Sequence, residues 1–357
     1  MLPVFFLSPK RPIRRLTRMI HPSASLILVT LALAACEDRS QLPEYDLTGA
    51  TMGTQFSVTL VAPPKDLDKD SLKAHIEEML AALERRMSAY IVDSEISTFN
   101  DSRSTDWFSV SRELCELVDE ALAISRLMGG AFDVTAGPLV NLWGFGPDGV
   151  RSKPPSAADI ATARARVGYD KLHADCSIPA LRKRNPDIYV DLSAYAKGYA
   201  VDRIADLLES KRVDNFLVDV GGELRMRGLN AQAARWAVAV EKPSATGRAV
   251  QNDFRFTDTG MATSGDYRNY FDHAGKRYSH VIDTRFGAPV SHELASVTVV
   301  SESTAVADAM ATALFVLGPD EGFERARHDD IAAYFLVRSE SGLDERMTSA
   351  FESKTYR

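Results

Sequence analysis

The residues with the clearest chemical potential in this sequence are Asp308 and Thr312, within the stretch ADAMATA (residues 307–313). Side chains four residues apart lie on the same face of a helix, so a carboxylate and a hydroxyl would project together from an otherwise apolar segment. A buried carboxylate is costly unless another group compensates its charge. Two explanations remain open. Asp308 either caps a helix that the preceding SEST segment begins, or it binds a hard cation that prefers oxygen ligands.

Three further polar clusters lie beside glycines or at the ends of predicted strands. Asp133 belongs to the segment 129–147, where the glycines favour a turn and allow a ligand to approach the backbone closely. Ser193 lies between a predicted strand and a predicted helix, where it is either an ordinary N-cap or part of an anion site. His280 lies on a predicted strand, 279–283, and has either a structural role or that of a general base.

The elements that position these residues can be predicted from hydrophobic periodicity. Helices are predicted at 71–90, 111–130, 196–211 and 319–328, and for the segment that carries Asp308. Strands are predicted at 54–62, 188–192, 215–220, 236–241, 254–258, 279–283, 295–301 and 332–337. The runs of short strands in the second half favour an α+β fold with a mixed, largely antiparallel sheet core flanked by helices.

The N-terminus is typical of a bacterial export signal. Five basic residues precede the apolar run ASLILVTLALAA (24–35), which is too short to remain as a membrane-spanning helix. The small residues of LAAC directly before Cys36 resemble a lipobox, in which Cys36 is lipidated and begins the mature protein; a plain signal peptide cut after Ala35 is the alternative. We therefore predict a lipoprotein signal peptide at 1–35 and a tether at 36–47.

Charge and cysteine content exclude some classes of protein. The whole chain of 357 residues has 42 Lys and Arg against 49 Asp and Glu, and loss of the five basic residues before Cys36 leaves 37 against 49, a net charge of −12. So acidic a chain is not typical of nucleic-acid binders. Cys115 and Cys176 either form one disulfide in an oxidising compartment or, as the amphipathic pattern around Cys115 suggests, Cys115 is a small buried apolar residue.

Eight segments distributed along the chain form a specific pattern together, although none of them is specific by itself. They are MGTQFSV (52–58), MSAYIVDSEISTFN (87–100), GAFDVTAGPLVNLWGFGP (130–147), DLSAYAKGYAVD (191–202), DVGGEL (219–224), SGDYRNYF (264–271), RYSHVIDTRFGAPV (277–290) and ADAMATALFVLG (307–318). In this order they closely resemble the ApbE family, the FAD:protein FMN transferases, over about residues 50–340. One departure is Thr284, where many members have proline.

The resemblance implies an ApbE-like, T-fold-related domain at 48–357, with FAD as substrate and Mg²⁺ as cofactor. It implies that Asp308 and Thr312 are side-chain ligands of the metal, and that the backbone carbonyls of Ala196 and Ala311 complete the set. His280 would be the general base. The FAD-binding positions that it implies are Met52, Tyr90, Ala131, Phe132, Asp133, Ser193, Tyr199 and Ile282.

By the same resemblance, a Thr or Ser hydroxyl of a partner flavoprotein attacks the FMN phosphorus of FAD, and AMP is released. The expected partners are flavoprotein subunits of the sodium-pumping NADH:quinone reductase or Rnf type, reached from a lipid anchor that faces the periplasm. Two alternatives remain: a FAD pyrophosphatase that releases FMN and AMP, and a non-catalytic periplasmic FAD-binding lipoprotein. Tyr90 favours transfer, because some family members with Asn at that position are hydrolytic.

Overall fold

The computed structural model describes residues 41–243 and 249–355. Within these residues, the helices are α1 (Lys69–Met87), α2 (Glu95–Asp101), α3 (Arg112–Leu127), α4 (Gly137–Leu142), α5 (Ala157–Ala165), α6 (Ser193–Ser210), α7 (Thr304–Leu317), α8 (Glu321–His328) and α9 (Ser349–Lys354). The strands are β1 (Glu44–Thr51), β2 (Thr54–Val61), β3 (Phe108–Ser109), β4 (Leu172–Asp175), β5 (Ala180–Lys183), β6 (Phe216–Val220), β7 (Glu223–Arg227), β8 (Trp236–Glu241), β9 (Val250–Phe256), β10 (Thr259–Gly265), β11 (Tyr270–His273), β12 (Lys276–Ser279), β13 (Ile282–Asp283), β14 (Ala288–Pro289), β15 (Leu294–Ser301), β16 (Ala332–Ser339) and β17 (Gly342–Met347).

The central element is an eight-stranded sheet with the strand order β1-β2-β6-β7-β10-β15-β16-β17. Every pair of neighbouring strands in it is antiparallel. Short connections such as the Gly221–Gly222 turn between β6 and β7 join strands that follow one another in the chain, as antiparallel pairing allows. The α+β class and the largely antiparallel core are therefore confirmed.

Each face of the sheet covers a different apolar core, because successive strand residues point to opposite faces. On one face, Phe56 and Val58 of β2 pack in the same cluster as residues of α1, α3, α6 and α7. On the other face, Met261 of β10 packs with the hairpin β8–β9 and with Phe351 of α9. Helix α7 is buried on nearly all sides in the first core, which explains why its sequence is apolar around its whole circumference.

Several predicted boundaries differ from the structure. The segment 188–192 is not a strand; it is an irregular stretch that leads directly into α6. The predicted strand 279–283 is divided between β12 and β13, so that His280 lies between them. The sheet begins at Glu44, because β1 pairs with β2 along its whole length, and β1 therefore starts within the predicted tether at 36–47. Strands β1, β10 and β17 were absent from the prediction, since their residues lack a clear alternating pattern.

Cys115 and Cys176 form a disulfide that joins α3 to the turn after β4. Cys115 is also fully buried, so it both forms a disulfide and packs as a small apolar residue. Cys36 and the predicted signal peptide lie outside the described residues. Among the residues that the structure describes, no helix has both the length and the apolar character needed to cross a bilayer.

Candidate active site

A cavity of about 440 Å³ lies where the N-terminal part of α6 and the middle of α7 meet the β6–β7 turn, the end of β10 and the loop before β13. Its size is within the range of small-molecule and cofactor sites. Nine of the residues singled out in the sequence line it together: Tyr90, Ala131, Phe132, Asp133, Ser193, His280, Ile282, Asp308 and Thr312. The structure thus gathers into one cavity residues that are separated by up to 222 positions in the chain.

Asp308 is not a helix cap. Helix α7 has Ser303 at its N-cap, whose hydroxyl accepts from the Val306 amide, and Asp308 lies a full turn further on. The Asp308 side chain is only 4% exposed and accepts one hydrogen bond, from the Gly198 amide at 3.3 Å. Burial raises the pKa of the Asp308 carboxyl, while the nearby ammonium of Lys197 opposes that shift. The capping explanation is therefore wrong.

Thr312 follows one turn later on the same helix face, and its hydroxyl lies 3.0 Å from that of Ser264. A carboxylate and a hydroxyl that face one cavity are the hard oxygen donors that Mg²⁺ prefers. Within residues 41–243 and 249–355, no group of three or more His, Cys, Asp or Glu side chains could hold a metal on its own. The donors therefore fit Mg²⁺ when a ligand such as a pyrophosphate contributes the remaining oxygens.

The two residues whose backbone carbonyls are expected to complete the metal site lie outside the cavity lining. Ala196 lies in the first turn of α6 and is buried, and Ala311 lies inside α7 with no exposed surface. Neither residue is part of the cavity lining, whereas Asp308 and Thr312 both are. Their carbonyl groups remain predicted ligands on the strength of the resemblance alone.

Helix α7 is held against α6 by two features outside the cavity. The Asp202 carboxylate of α6 accepts from the amides of Thr304 and Ala305 at 2.9 and 3.0 Å and from the hydroxyl of Ser303. These amides are among the helix N-terminal donors that lack partners within the helix. Gly198 of α6 packs so closely on α7 that a Cβ atom would lie 2.4 Å from the Thr304 carbonyl oxygen. Asp202 and Gly198 therefore set the distance between Asp308 and the residues of α6.

Sequence reasoning missed the ion pair between Lys197 and Glu223. The Lys197 ammonium lies 2.5 Å from Oε1 of Glu223, which is 3% exposed. Burial raises the pKa of Glu223 to about 7 against the opposing effect of Lys197. Burial also opposes ionisation of Lys197, but the carboxylates of Asp308 and Glu223 raise its pKa overall. Lys197 thus supplies positive charge beside Asp308. Both residues lay within segments singled out above, yet nothing in either segment indicated that they meet.

The second oxygen of Glu223, Oε2, is buried and makes no hydrogen bond to any residue that the structure describes. Unsatisfied buried acceptors are rare in native proteins and often lie at functional sites. Because Glu223 lines the cavity, this oxygen is an acceptor held ready for a ligand donor or a water molecule.

His280 has the arrangement expected of a base. Its Nδ1 lies 2.9 Å from the carbonyl oxygen of Asn269, which can only accept, so Nδ1 carries the hydrogen in the neutral ring and Nε2 is left with a lone pair. Burial lowers the pKa of His280, which keeps the imidazole neutral near pH 7. The ring of Phe145 meets it edge-on at 6.3 Å between centroids.

Among the predicted FAD positions, Tyr90 and Phe132 offer ring surfaces to the cavity. Tyr90 is 61% exposed and its hydroxyl lies 3.4 Å from the carbonyl oxygen of Phe145, whereas Phe132 is buried. An exposed aromatic ring at the mouth of a cavity is available to stack on a flat ligand. Ala131 and Ile282 are buried and add apolar surface to the same cavity.

Asp133 and Ser193 are held by hydrogen bonds within the protein. Asp133 accepts from the amide and hydroxyl of Thr135 at 2.8 and 2.7 Å and from the Tyr169 amide at 3.1 Å, and burial raises the pKa of its carboxyl. Ser193 is the first residue of α6 rather than its N-cap, and its hydroxyl and amide both donate to Asp191. Asp133 therefore stabilises the glycine-rich turn that shapes the cavity, and the ordinary N-cap explanation for Ser193 is wrong.

Met52 and Tyr199 do not line the cavity. Met52 adopts a positive φ of 47° in the β1–β2 turn, and its amide donates to Oε1 of Glu84 at 2.7 Å. The Tyr199 hydroxyl donates to Oε1 of Glu113 at 3.1 Å, and its ring stacks on that of Tyr195. Tyr199 lies six residues after Ser193 in α6, and 600° of helical rotation turns its side chain away from that of Ser193.

Comparison with known proteins agrees with this geometry. A family model described as the ApbE family matches residues 52–335. A protein of Vibrio cholerae named FAD:protein FMN transferase is 40% identical over 329 residues, which cover 92% of this chain and 96% of the relative. One from Escherichia coli K12 with the same name is 37% identical over 338 residues, again 92% of this chain and 96% of the relative.

Solved structures are similar over most of the chain. The structure of flavin transferase ApbE from Vibrio cholerae has a TM-score of 0.82 and 39% identity, and covers 88% of this chain and 99% of its own. That of the Pseudomonas stutzeri flavinyl transferase ApbE in its apo form has a TM-score of 0.81 and 38% identity, with coverage of 88% and 97%. With the family match and these relatives, the chain belongs to the ApbE family and is a transferase.

Proposed function

We propose that this chain transfers FMN from FAD to a Thr or Ser hydroxyl of partner flavoproteins in a Mg²⁺-dependent reaction that releases AMP. The observation that carries the proposal is that His280, Asp308 and Thr312 line the same cavity as the exposed ring of Tyr90. A base, a pair of hard oxygen donors and a surface for a flat ring are the parts that such a transfer needs. The names of the relatives support the same reaction.

In the proposed reaction the acceptor oxygen forms a bond to the FMN phosphorus of FAD, and the bond between that phosphorus and the bridging oxygen breaks. His280 takes the hydroxyl proton at Nε2, a role for which its neutral ring is suited. The bridging oxygen leaves with AMP. Bound Mg²⁺ supplies Lewis-acid stabilisation of the charge on the phosphates, and Asp308 and Thr312 are the side chains that would hold it.

Lys197 adds a fixed positive charge beside Asp308, at the cavity wall. A cation at this position attracts the negatively charged pyrophosphate, and it also prevents Asp308 from repelling that group when no metal is bound. The ion pair with Glu223 fixes the Lys197 side chain in one orientation. We therefore assign to Lys197 a role in orienting the phosphates.

We further propose that the protein is anchored by a lipid on Cys36 and faces the periplasm. The LAAC segment before Cys36 supports the anchor. The Cys115–Cys176 disulfide supports an oxidising compartment, where such bonds persist. The expected acceptors are flavoprotein subunits of the sodium-pumping NADH:quinone reductase or Rnf type, whose flavinylated domains would face the same compartment.

One experiment tests the reaction against its alternatives. The purified protein is incubated with FAD and Mg²⁺, with and without an acceptor subunit of the sodium-pumping reductase, and the products are separated by chromatography. Transfer yields a covalent flavin adduct of the acceptor and AMP only when the acceptor is present. Release of FMN and AMP without an acceptor identifies a FAD pyrophosphatase, and absence of any product identifies a FAD-binding protein; either result contradicts the proposal.

A further inference from the structure

A second cavity, of about 560 Å³, lies between the central sheet and the hairpin β8–β9. We call it the sheet groove. Its floor is a row of side chains paired across five neighbouring strands: Thr48, Ser57, Asp219, Leu224 and Met261. Ala239 and Glu241 of β8 form part of its wall. By the alternation along each strand, this row faces away from α6 and α7.

The sheet groove adjoins the active cavity. Five residues line both: Gly221, Glu223, Thr263, Tyr267 and Arg268. The β6–β7 turn lies beside these shared residues, and its Gly222 has a φ of 107° and no heavy atom within 4 Å of the position that a Cβ would take. A residue with no side chain at this position leaves open space at the turn, next to the shared residues.

The residues that the family resemblance assigns to FAD line only one of the two cavities. Of the residues that the family resemblance assigns to FAD, six line the active cavity and none lines the sheet groove. His280, Asp308 and Thr312 likewise belong to the active cavity alone. Because FAD is large for a cavity of about 440 Å³, the acceptor must reach His280 from a side that FAD leaves open. The junction with the sheet groove is such a side.

We infer that the sheet groove binds the acceptor polypeptide as an extended segment and delivers its Thr or Ser hydroxyl to the active cavity at Gly221–Gly222. The inference rests on the proposed flavin transfer and names where its second substrate binds. Five strands spaced by about 4.8 Å span roughly 19 Å, which at about 3.3 Å per residue accommodates roughly six residues of extended chain.

The chemistry of the groove suits a peptide backbone. Thr48, Gln55 and Ser57 present side chains that both donate and accept hydrogen bonds, as the amides and carbonyls of an extended segment require. The ion pair between Arg268 and Glu241 bridges the groove wall and the junction. It fixes Arg268 close to the point where the phosphates and the acceptor would meet.

Groove-filling variants test the inference. Gln55→Trp places a large ring in the groove from an exposed position on β2, on the same side as Ser57 of the floor, and Thr48→Trp does so from β1. Thr59→Trp is the matched control, because Thr59 lies on the same strand and the same side as Gln55 but outside the groove. The assay measures transfer from FAD to a purified acceptor subunit of the sodium-pumping reductase, read as covalent flavin fluorescence. The FAD dissociation constant and the melting temperature are measured on each variant.

We expect Gln55→Trp and Thr48→Trp to raise the KM for the acceptor about tenfold or more, as expected when a docking contact is lost. FAD binding and the melting temperature should stay close to those of Thr59→Trp. If the two groove variants transfer flavin with the control's KM, the groove does not bind the acceptor, while the proposed function stands. If the wild-type protein transfers no flavin to the acceptor, the proposed function fails, and the inference that rests on it fails too.

Discussion

Replacing Gly198 with alanine tests whether the spacing of α6 and α7 positions the proposed metal ligands. A Cβ at Gly198 would lie 2.4 Å from the Thr304 carbonyl oxygen, against 3.4 Å for ordinary contact, so the helices must separate by about 1 Å. Helix propensity alone favours alanine by about 1 kcal/mol, whereas overpacking costs about 1–3 kcal/mol. We therefore expect Gly198→Ala to lower the free energy of unfolding by up to about 2 kcal/mol.

The larger effect should appear in turnover. The Gly198 amide is the hydrogen-bond donor to Asp308, at 3.3 Å, and a further 1 Å breaks that bond. A misplacement of about 1 Å at a catalytic site can cost about 10²-fold in rate. We expect a loss of that order in Mg²⁺-dependent transfer, together with weaker Mg²⁺ binding by titration calorimetry in the presence of FAD.

Gly322→Ala is the matched control for this variant. Its Cβ would lie 2.5 Å from the Leu314 carbonyl oxygen, at the other end of the same helix and away from Asp308. It should therefore cost similar stability while it preserves most of the turnover. A Gly198→Ala protein with wild-type turnover and a higher melting temperature would refute the reasoning, since helix propensity would then outweigh the contact.

Three further predictions concern single side chains. Asp308→Asn should abolish Mg²⁺-dependent turnover without lowering the melting temperature, because a neutral amide avoids the burial cost that raises the pKa of Asp308; wild-type activity at limiting Mg²⁺ would contradict this. His280→Gln should lose about 10²–10⁴-fold in transfer with unchanged FAD affinity, as measured by fluorescence titration. Because burial lowers the pKa of His280 below 6.5, the wild-type rate should hold at pH 7 and fall only in more acidic solution as the ring gains a proton, and the variant should lose this pH dependence. Cys36→Ser should release the protein from membranes in cell fractionation while transfer in vitro stays normal, and loss of intrinsic activity would contradict a purely tethering role.

Sequence patterns over a few residues predict which side chains share a face of one helix or strand. The shared helix face of Asp308 and Thr312 follows from their spacing of four residues, and the structure places both in the cavity. The antiparallel sheet follows from the succession of short strands. By contrast, the Lys197–Glu223 pair joins α6 to β7, and its contact depends on how those two elements pack. Periodicity within either segment carries no information about that packing.

The family resemblance predicted more of the site residues than periodicity did, but the contacts of their side chains could be read only from the structure. It assembled nine residues of the cavity from distant segments, since a family pattern records positions that meet in the fold. It could not show that the carboxylate of Asp133 is already engaged by Thr135 and Tyr169. Nor could it show that Tyr199 turns away to donate to Glu113. Such details depend on rotamers and on neighbours from other elements.

Four of the seven residues of ADAMATA are alanines whose side chains serve packing, and Asp308 and Thr312 are its side chains that we propose to hold the metal. Helix α7 is buried between α6 and the sheet, and Ala307, Ala309 and Ala311 are inaccessible to solvent. Larger side chains there would separate the two helices, as a Cβ at Gly198 would. Small residues bring the Asp308 carboxylate within reach of the Gly198 amide and of the Lys197 charge. These two interactions make a buried carboxylate tolerable at a position where apolar neighbours alone would exclude it.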